Sequence, residues 1–91
     1  MLVTVDIGNT NITIGIFDKE DLIGTYRLTT KVRRTSDEYG FMLKNFLDRS
    51  NVHEKQIEAV IVSSVVPKVM HSFTNGIKKF VGIEPLIVGP G

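Results

Sequence analysis

Leu2-Val3-Thr4-Val5-Asp6-Ile7-Gly8-Asn9-Thr10-Asn11-Ile12-Thr13-Ile14-Gly15-Ile16 is the stretch on which the reading of the fold turns. Val3, Val5 and Ile7 recur with a period of two, then Ile12, Ile14 and Ile16 do so again. That period belongs to strands with one buried face. Between the two runs lies Gly8-Asn9-Thr10-Asn11, whose residues tolerate positive φ or hydrogen-bond their own backbone, so a hairpin is expected there.

Working outward, Asp18-Lys19-Glu20-Asp21 reads as a polar turn. Leu22 to Thr30 reads as a third strand, with Leu22, Gly24, Tyr26 and Leu28 on one face and Ile23, Thr25 and Arg27 on the other. Thr35 and Glu38 have the spacing of a capping box. Tyr39, Met42, Leu43, Phe46 and Leu47 then mark one face of an amphipathic helix that should end near Asn51. Ile57 to Val62 is a β-branched run expected to be a strand buried on both faces, and Ser63-Ser64-Val65-Val66 is expected to bridge it to Pro67. Proline suits a first helical turn, where its missing N–H costs nothing. Val69, Met70, Phe73, Ile77, Phe80 and Val81 form a second apolar stripe, Gly82 a left-handed cap, and Pro85 to Val88 a last strand. Gly76, inside that helix, is expected to cost about 1 kcal/mol relative to alanine unless close packing requires it. The order β-β-β-α-β-α-β implies an α/β domain with a mixed sheet, antiparallel at first and then parallel through helical crossovers.

Composition excludes several classes. The 91 residues suit one domain, and 42% hydrophobic with 23% charged residues is ordinary for a globular protein. Eleven basic and ten acidic side chains leave a net charge of +1, so no phosphate-backbone binder is indicated and no nucleic-acid partner is expected. There is no cysteine, hence no disulfide framework or thiolate metal site. His53 and His71 lack partners at ligand spacing and read as surface residues. The longest apolar run, Ala59 to Val62, is far short of a membrane span. No basic segment precedes a long apolar stretch, so a secretory signal is not expected and the cytoplasm is the default.

The chemistry is concentrated in Asp6-Ile7-Gly8-Asn9-Thr10-Asn11. Glycine lets the backbone approach a ligand, neighbouring amides can converge on a phosphate oxygen, and Asn9, Thr10 and Asn11 add neutral donors. Asp6, closing the first strand, is placed to hold Mg²⁺ directly or through water. Turn statistics alone favour a plain hairpin whose polar residues satisfy their own backbone. Lys31, Arg33 and Arg34 could meet a phosphate or carboxylate, although short charge runs are usually solvated loops. Ser63 and Ser64 lack a histidine at nucleophile spacing and read as a strand-to-helix cap, and the Met and Phe positions of both helices read as core.

Four motifs in one order shift the balance. Asp6-Ile7-Gly8-Asn9-Thr10 resembles the Asp-x-Gly-Asn-Thr phosphate motif of the type III pantothenate kinases, members of the acetate kinase, sugar kinase, heat-shock 70 and actin superfamily. Arg34-Thr35-Ser36-Asp37-Glu38 is similar to that family's Arg-Thr-x-Asp-Glu, and Ser64-Val65-Val66-Pro67 to its Ser-Val-Val-Pro. Gly89-Pro90-Gly91 is similar to the opening of its Gly-Pro-Gly-x-Lys-Thr-Gly. The resemblance implies a ribonuclease H-like, actin-like ATPase domain, with residues 1–91 as the N-terminal half of a two-domain enzyme. It implies ATP-dependent phosphorylation of pantothenate, with Asp6, Ile7, Gly8, Asn9, Thr10, Asn11, Ile12 and Thr13 around the ATP phosphates and Asp6 at Mg²⁺. It further implies a monovalent cation, K⁺ or NH₄⁺, and a homodimer. The family's catalytic base, in a Gly-x-Asp-Arg segment, and most of its pantothenate pocket have no counterpart among these residues, so the 91 residues alone are expected to be inactive.

Two other readings stand beside it. Metal-dependent nucleases of the ribonuclease H type need carboxylates converging on two ions, and the fourth strand here ends in Ser63-Ser64. A regulatory or accessory protein of the same fold is the non-enzymatic alternative.

Overall fold

Strand β1 (Leu2–Ile7) lies at the centre of the molecule because it can bond on both edges. It pairs antiparallel with β2 (Asn11–Asp18) and parallel with β4 (Ala59–Ser64). The computed structural model describes residues 1–89; Pro90 and Gly91, the end of the Gly-Pro-Gly motif, lie outside the described residues. The sheet is completed by β3 (Asp21–Thr29) beside β2 and the two-residue β5 (Leu86–Ile87) beside β4, in the order β3-β2-β1-β4-β5.

The period-two residues do what their spacing predicts. Val3, Val5, Ile7, Ile12, Ile14, Ile16, Val60 and Val62 are buried in one cluster with Tyr39, Leu43, Leu47, Phe73 and Ile77 from the helices. Each such side chain contributes roughly 1.5–3 kcal/mol on burial. Helices α1 (Ser36–Arg49) and α2 (Pro67–Val81) therefore pack on one face of the sheet. On the opposite face Leu2, Thr4, Phe17 and Ile61 are only half-buried, and Asp6 and Asn11 are exposed. The mixed sheet and element order are those expected, with a short 3₁₀ turn at Glu54–Gln56 added.

Helix ends follow local chemistry. Glu38 N–H donates to Thr35 Oγ1 at 3.1 Å and Thr35 N–H to Glu38 Oε1 at 2.8 Å, completing the capping box. Pro67 opens α2, and Gly82 closes it at φ 76°. His53 is exposed and caps the 3₁₀ turn, its Nδ1 accepting from Lys55 N–H at 3.1 Å; His71 is exposed on α2.

Several boundaries and faces depart from the sequence reading. β4 begins at Ala59 and runs through Ser64, so Ser63 and Ser64 belong to the strand. Only one of its faces is fully buried, because the other looks toward the uncovered side of the sheet. Val66 occupies the N-cap of α2 without a side-chain bond; Ser64 Oγ instead accepts from Val66 N–H at 2.9 Å, a tight local turn rather than a helix cap. In β3, Gly24 opposes Ile16 while Leu22 opposes Phe17. This irregularity leaves Ile23 as an extra residue and moves Leu22 to the face opposite Tyr26 and Leu28. Phe41 is 64% exposed, leaning on Phe80 with ring centroids 4.7 Å apart, so it is not core. The final strand is shorter than Pro85 to Val88.

Gly76 now has a reason. A Cβ there would strike the Ser36 carbonyl oxygen and come within 3.0 Å of Gly40 N. On the facing helix, a Cβ at Gly40 would meet the Phe80 ring, with Cγ at 2.7 Å. The two glycines let α1 and α2 cross at backbone contact. Gly76→Ala should gain helix propensity of about 1 kcal/mol yet lose more to the clash, which typically costs about 1–3 kcal/mol. Urea denaturation should show a lowered midpoint; a raised one would mean that the helices can separate freely.

Candidate functional site

The carboxyl ends of β1, β3 and β4 reach the same edge of the sheet, since all three run parallel to one another. The Gly8-Asn9-Thr10 bend crosses that edge, and its two flanks are fixed. Ile7 and Ile12, opposite each other in the ladder, are 1% and 0% exposed, so their side chains anchor the bend in the core and only their backbones can serve a ligand. Gly8 N–H donates to Asn11 O at 2.9 Å. No positive φ is needed at residues 8–11. The glycine answers instead to space, since a Cβ would sit 3.2 Å from Asn11 O.

Thr30 braces the bend from the end of β3. Its Oγ1 donates to Gly8 O at 2.8 Å, and its N–H donates to Thr10 O at 2.9 Å. Val65 N–H donates to Ile7 O at 3.1 Å. The carbonyls of Ile7, Gly8, Thr10 and Asn11 are thus engaged by the protein, while the amides of Asn9 and Thr10 have no acceptor among the described residues. Asn9, Thr10 and Asn11 are all exposed. With most of its backbone acceptors engaged and two amides free, the bend is richer in donors than an ordinary hairpin, which suits an anion.

Asp6 stands next to the bend on the uncovered face of the sheet. In register it is flanked by Thr13 on β2 and Ser63 on β4. Ser63 Oγ donates to Asp6 Oδ1 at 3.2 Å, which orients the carboxylate. No group of three or more His, Cys, Asp or Glu residues converges among the described residues. One exposed carboxylate with a free oxygen fits a metal that keeps several waters, as Mg²⁺ does, and not a caged ion. All of the sequence-marked stretch from Asp6 to Thr13 is therefore in one place. Ser63 and Thr30 were missed as site residues; their roles depend on parallel register and on where β3 ends, neither of which local pattern reveals.

These features define a class: a ribonuclease H-like, actin-like ATPase domain carrying a donor-rich hairpin beside a single acidic side chain. The chain belongs to the type III pantothenate kinase family, whose model matches residues 2–91. It is 56% identical over 91 residues to a type III pantothenate kinase of Bifidobacterium longum (strain NCC 2705), covering 100% of this chain and 36% of that protein. It is 47% identical to that of Agathobacter rectalis, again over 100% of this chain and 35% of the relative. The chain thus spans about a third of the length of the relatives it matches. Among solved structures, it is similar to a ROK hexokinase from Thermus thermophilus, with TM-score 0.70 and 17% identity, covering 97% of this chain and 33% of that one. It is also similar to T. thermophilus RuvC in complex with a Holliday junction substrate, with TM-score 0.63 and 17% identity over 98% of this chain and 64% of that one. At such identities these likenesses establish the fold.

Thr30→Val keeps the shape and removes the hydroxyl that donates to Gly8 O. It should lower stability by about 1–2 kcal/mol and speed amide exchange at Gly8 and Asn11 relative to the rest of the sheet. Unchanged exchange at those amides would show that the backbone bond alone fixes the bend.

Proposed function

We propose that this chain supplies the first phosphate-binding turn of an enzyme that transfers the γ-phosphoryl group of ATP to pantothenate. The observation that carries the proposal is the bend itself: its Gly8 and Thr10 carbonyls are engaged by Thr30, its Asn9 and Thr10 amides have no acceptor among the described residues, and Asp6 lies alongside. Family membership supplies the substrate class, because the relatives that share up to 56% of these residues are named for pantothenate phosphorylation. On this reading residues 1–91 belong to the N-terminal domain of a two-domain kinase, about a third of its length, and the catalytic base and most of the acceptor pocket belong to the remainder of the enzyme.

The chemistry asks the protein mainly for position and charge compensation. Gly8 to Thr13 would hold the phosphates through amides and neutral side chains. Asn9, Thr10 and Asn11 direct donors at oxygens without a fixed positive charge. Asp6 would repel a phosphate unless a cation stood between them, which is why Asp6 is assigned to Mg²⁺, with Ser63 fixing one of its oxygens. The ion would neutralise charge on the transferring group. A monovalent cation (K⁺ or NH₄⁺), a homodimer and a cytoplasmic setting complete the reading; family membership supports them. No helix among the described residues is long and apolar enough to cross a membrane.

Titrating the isotope-labelled chain with Mg-ATP at millimolar concentration should move the amide signals of Gly8 to Thr13. Asp6→Ala should weaken the response about tenfold, the loss of one charge-assisted contact. Shifts elsewhere that spare this bend would end the phosphate-turn assignment.

A further inference from the structure

The basic segment after β3 is an exposed loop, with Arg34 alone partly buried, and it borders a concavity. Lys31, Arg33 and Arg34 line one wall of a cavity of about 380 Å³, and Lys68, from the first turn of α2, lines the other. No acidic side chain lines it. The ion pairs among the described residues are made by the amino terminus, Lys44, Lys78 and Lys79, so none neutralises these four cations. In a chain whose net charge is only +1, this is a local concentration of unbalanced positive charge. Exposed cations repel one another only weakly through water, but four around one concavity with no acid among them favour an anion there.

The concavity is also shaped. Tyr39, Val66 and Val69 give it an apolar floor, and its volume falls within the roughly 300–1,000 Å³ usual for small-molecule sites. Arg34 is already held: its Nη1 donates to Thr29 O at 2.6 Å, and its guanidinium lies 5.9 Å from the Tyr39 ring centroid. Its other N–H groups have no acceptor among the described residues. Thr30, which braces the phosphate bend, lines the same cavity, so the two sites share a wall.

We infer that this cleft is a second binding site, separate from the phosphate bend, for a small organic anion: a carboxylate or phosphate monoester attached to a short apolar body. The cations recognise the anionic group, and the valines and Tyr39 take the apolar part. A bare inorganic ion would leave that floor unused. The cleft is argued from its own charge and apolar lining, while the choice of pantothenate and its ester as probes rests on the phosphotransfer reading.

The test is an amide-detected NMR titration of the labelled chain with three separate probes: pantothenate, 4′-phosphopantothenate and inorganic phosphate. Pantothenate or its phosphate ester should saturably shift amides within residues 31–34 and 68–72. Comparable binding of the two assigns the carboxylate as the recognised group; tighter binding of the ester assigns the phosphate. Arg33→Gln and Lys68→Gln should each weaken binding about tenfold, the loss of a charge-assisted contact, while Lys55→Gln, outside the cleft, should change nothing. Silence in these segments, an equal response to inorganic phosphate, or equal weakening by Lys55→Gln would overturn the inference. Mg-ATP signals at Gly8 to Thr13 are read separately. A cleft response without a bend response would leave this site standing and remove the kinase reading, and the reverse pattern would do the opposite.

Discussion

Two hydrogen bonds from Thr30 decide what the Gly8-Asn9-Thr10 bend can be. Both end on carbonyls of the bend, at Gly8 and Thr10. A hairpin with free carbonyls and free amides is electrostatically neutral toward ligands. This one has two of its three carbonyls engaged by Thr30 while the Asn9 and Thr10 amides stay open, which tips its outward character toward a donor. The brace works because its base is rigid: Thr30 is buried, and Ile7 and Ile12 are locked beneath the helices. Loss of order in the core would reach the bend through those two isoleucines before it touched any polar contact.

The helices matter to the site through their spacing. Gly40 and Gly76 allow α1 and α2 to meet at backbone distance. That crossing fixes where α2 begins relative to the loop entering α1, and hence the separation of Lys68 from Lys31, Arg33 and Arg34 across the basic cleft. A helix interior tolerates glycine at a cost in propensity; here the cost is offset by a contact that no side chain would permit. The same packing lets the Phe73 ring lie against Tyr39, with centroids 4.8 Å apart, below the cleft floor.

What could be read from the sequence was local. The two alternating runs, the Thr35–Glu38 capping box, Pro67 at the start of α2 and Gly82 at its end are each governed by neighbours within a few residues, and each appears where its chemistry puts it. What could not be read was set by partners distant in the chain. Ile23 disturbs the β3 register, so the alternation that placed Leu22 with Tyr26 held only on one side of the irregularity. Ser63 looked like linker because two hydroxyls before a proline suggest a cap; parallel pairing with β1 made it strand and set it against Asp6. Gly76 had no explanation without Gly40, and the basic run is the exposed loop its composition suggests, with Lys68 near it only because of the fold.

The fold leaves the chemistry open, since a hexokinase and RuvC share it at 17% identity each. The deciding place is the position beside Asp6 on β4. A carboxylate there would put two acids next to each other at the sheet edge, the start of a cage for paired metal ions, as metal-dependent hydrolysis of a phosphodiester requires. Ser63 occupies it, donating to Asp6 rather than competing with it for a cation. One acid and a neutral donor hold less charge than a pair of ions needs, and would suit the single hydrated ion of the proposed function. The Gly8-Asn9-Thr10 bend lies alongside, presenting the amides of Asn9 and Thr10 and no cation of its own. On the proposed function, that division of charge is balanced by a polyanion that arrives with its magnesium.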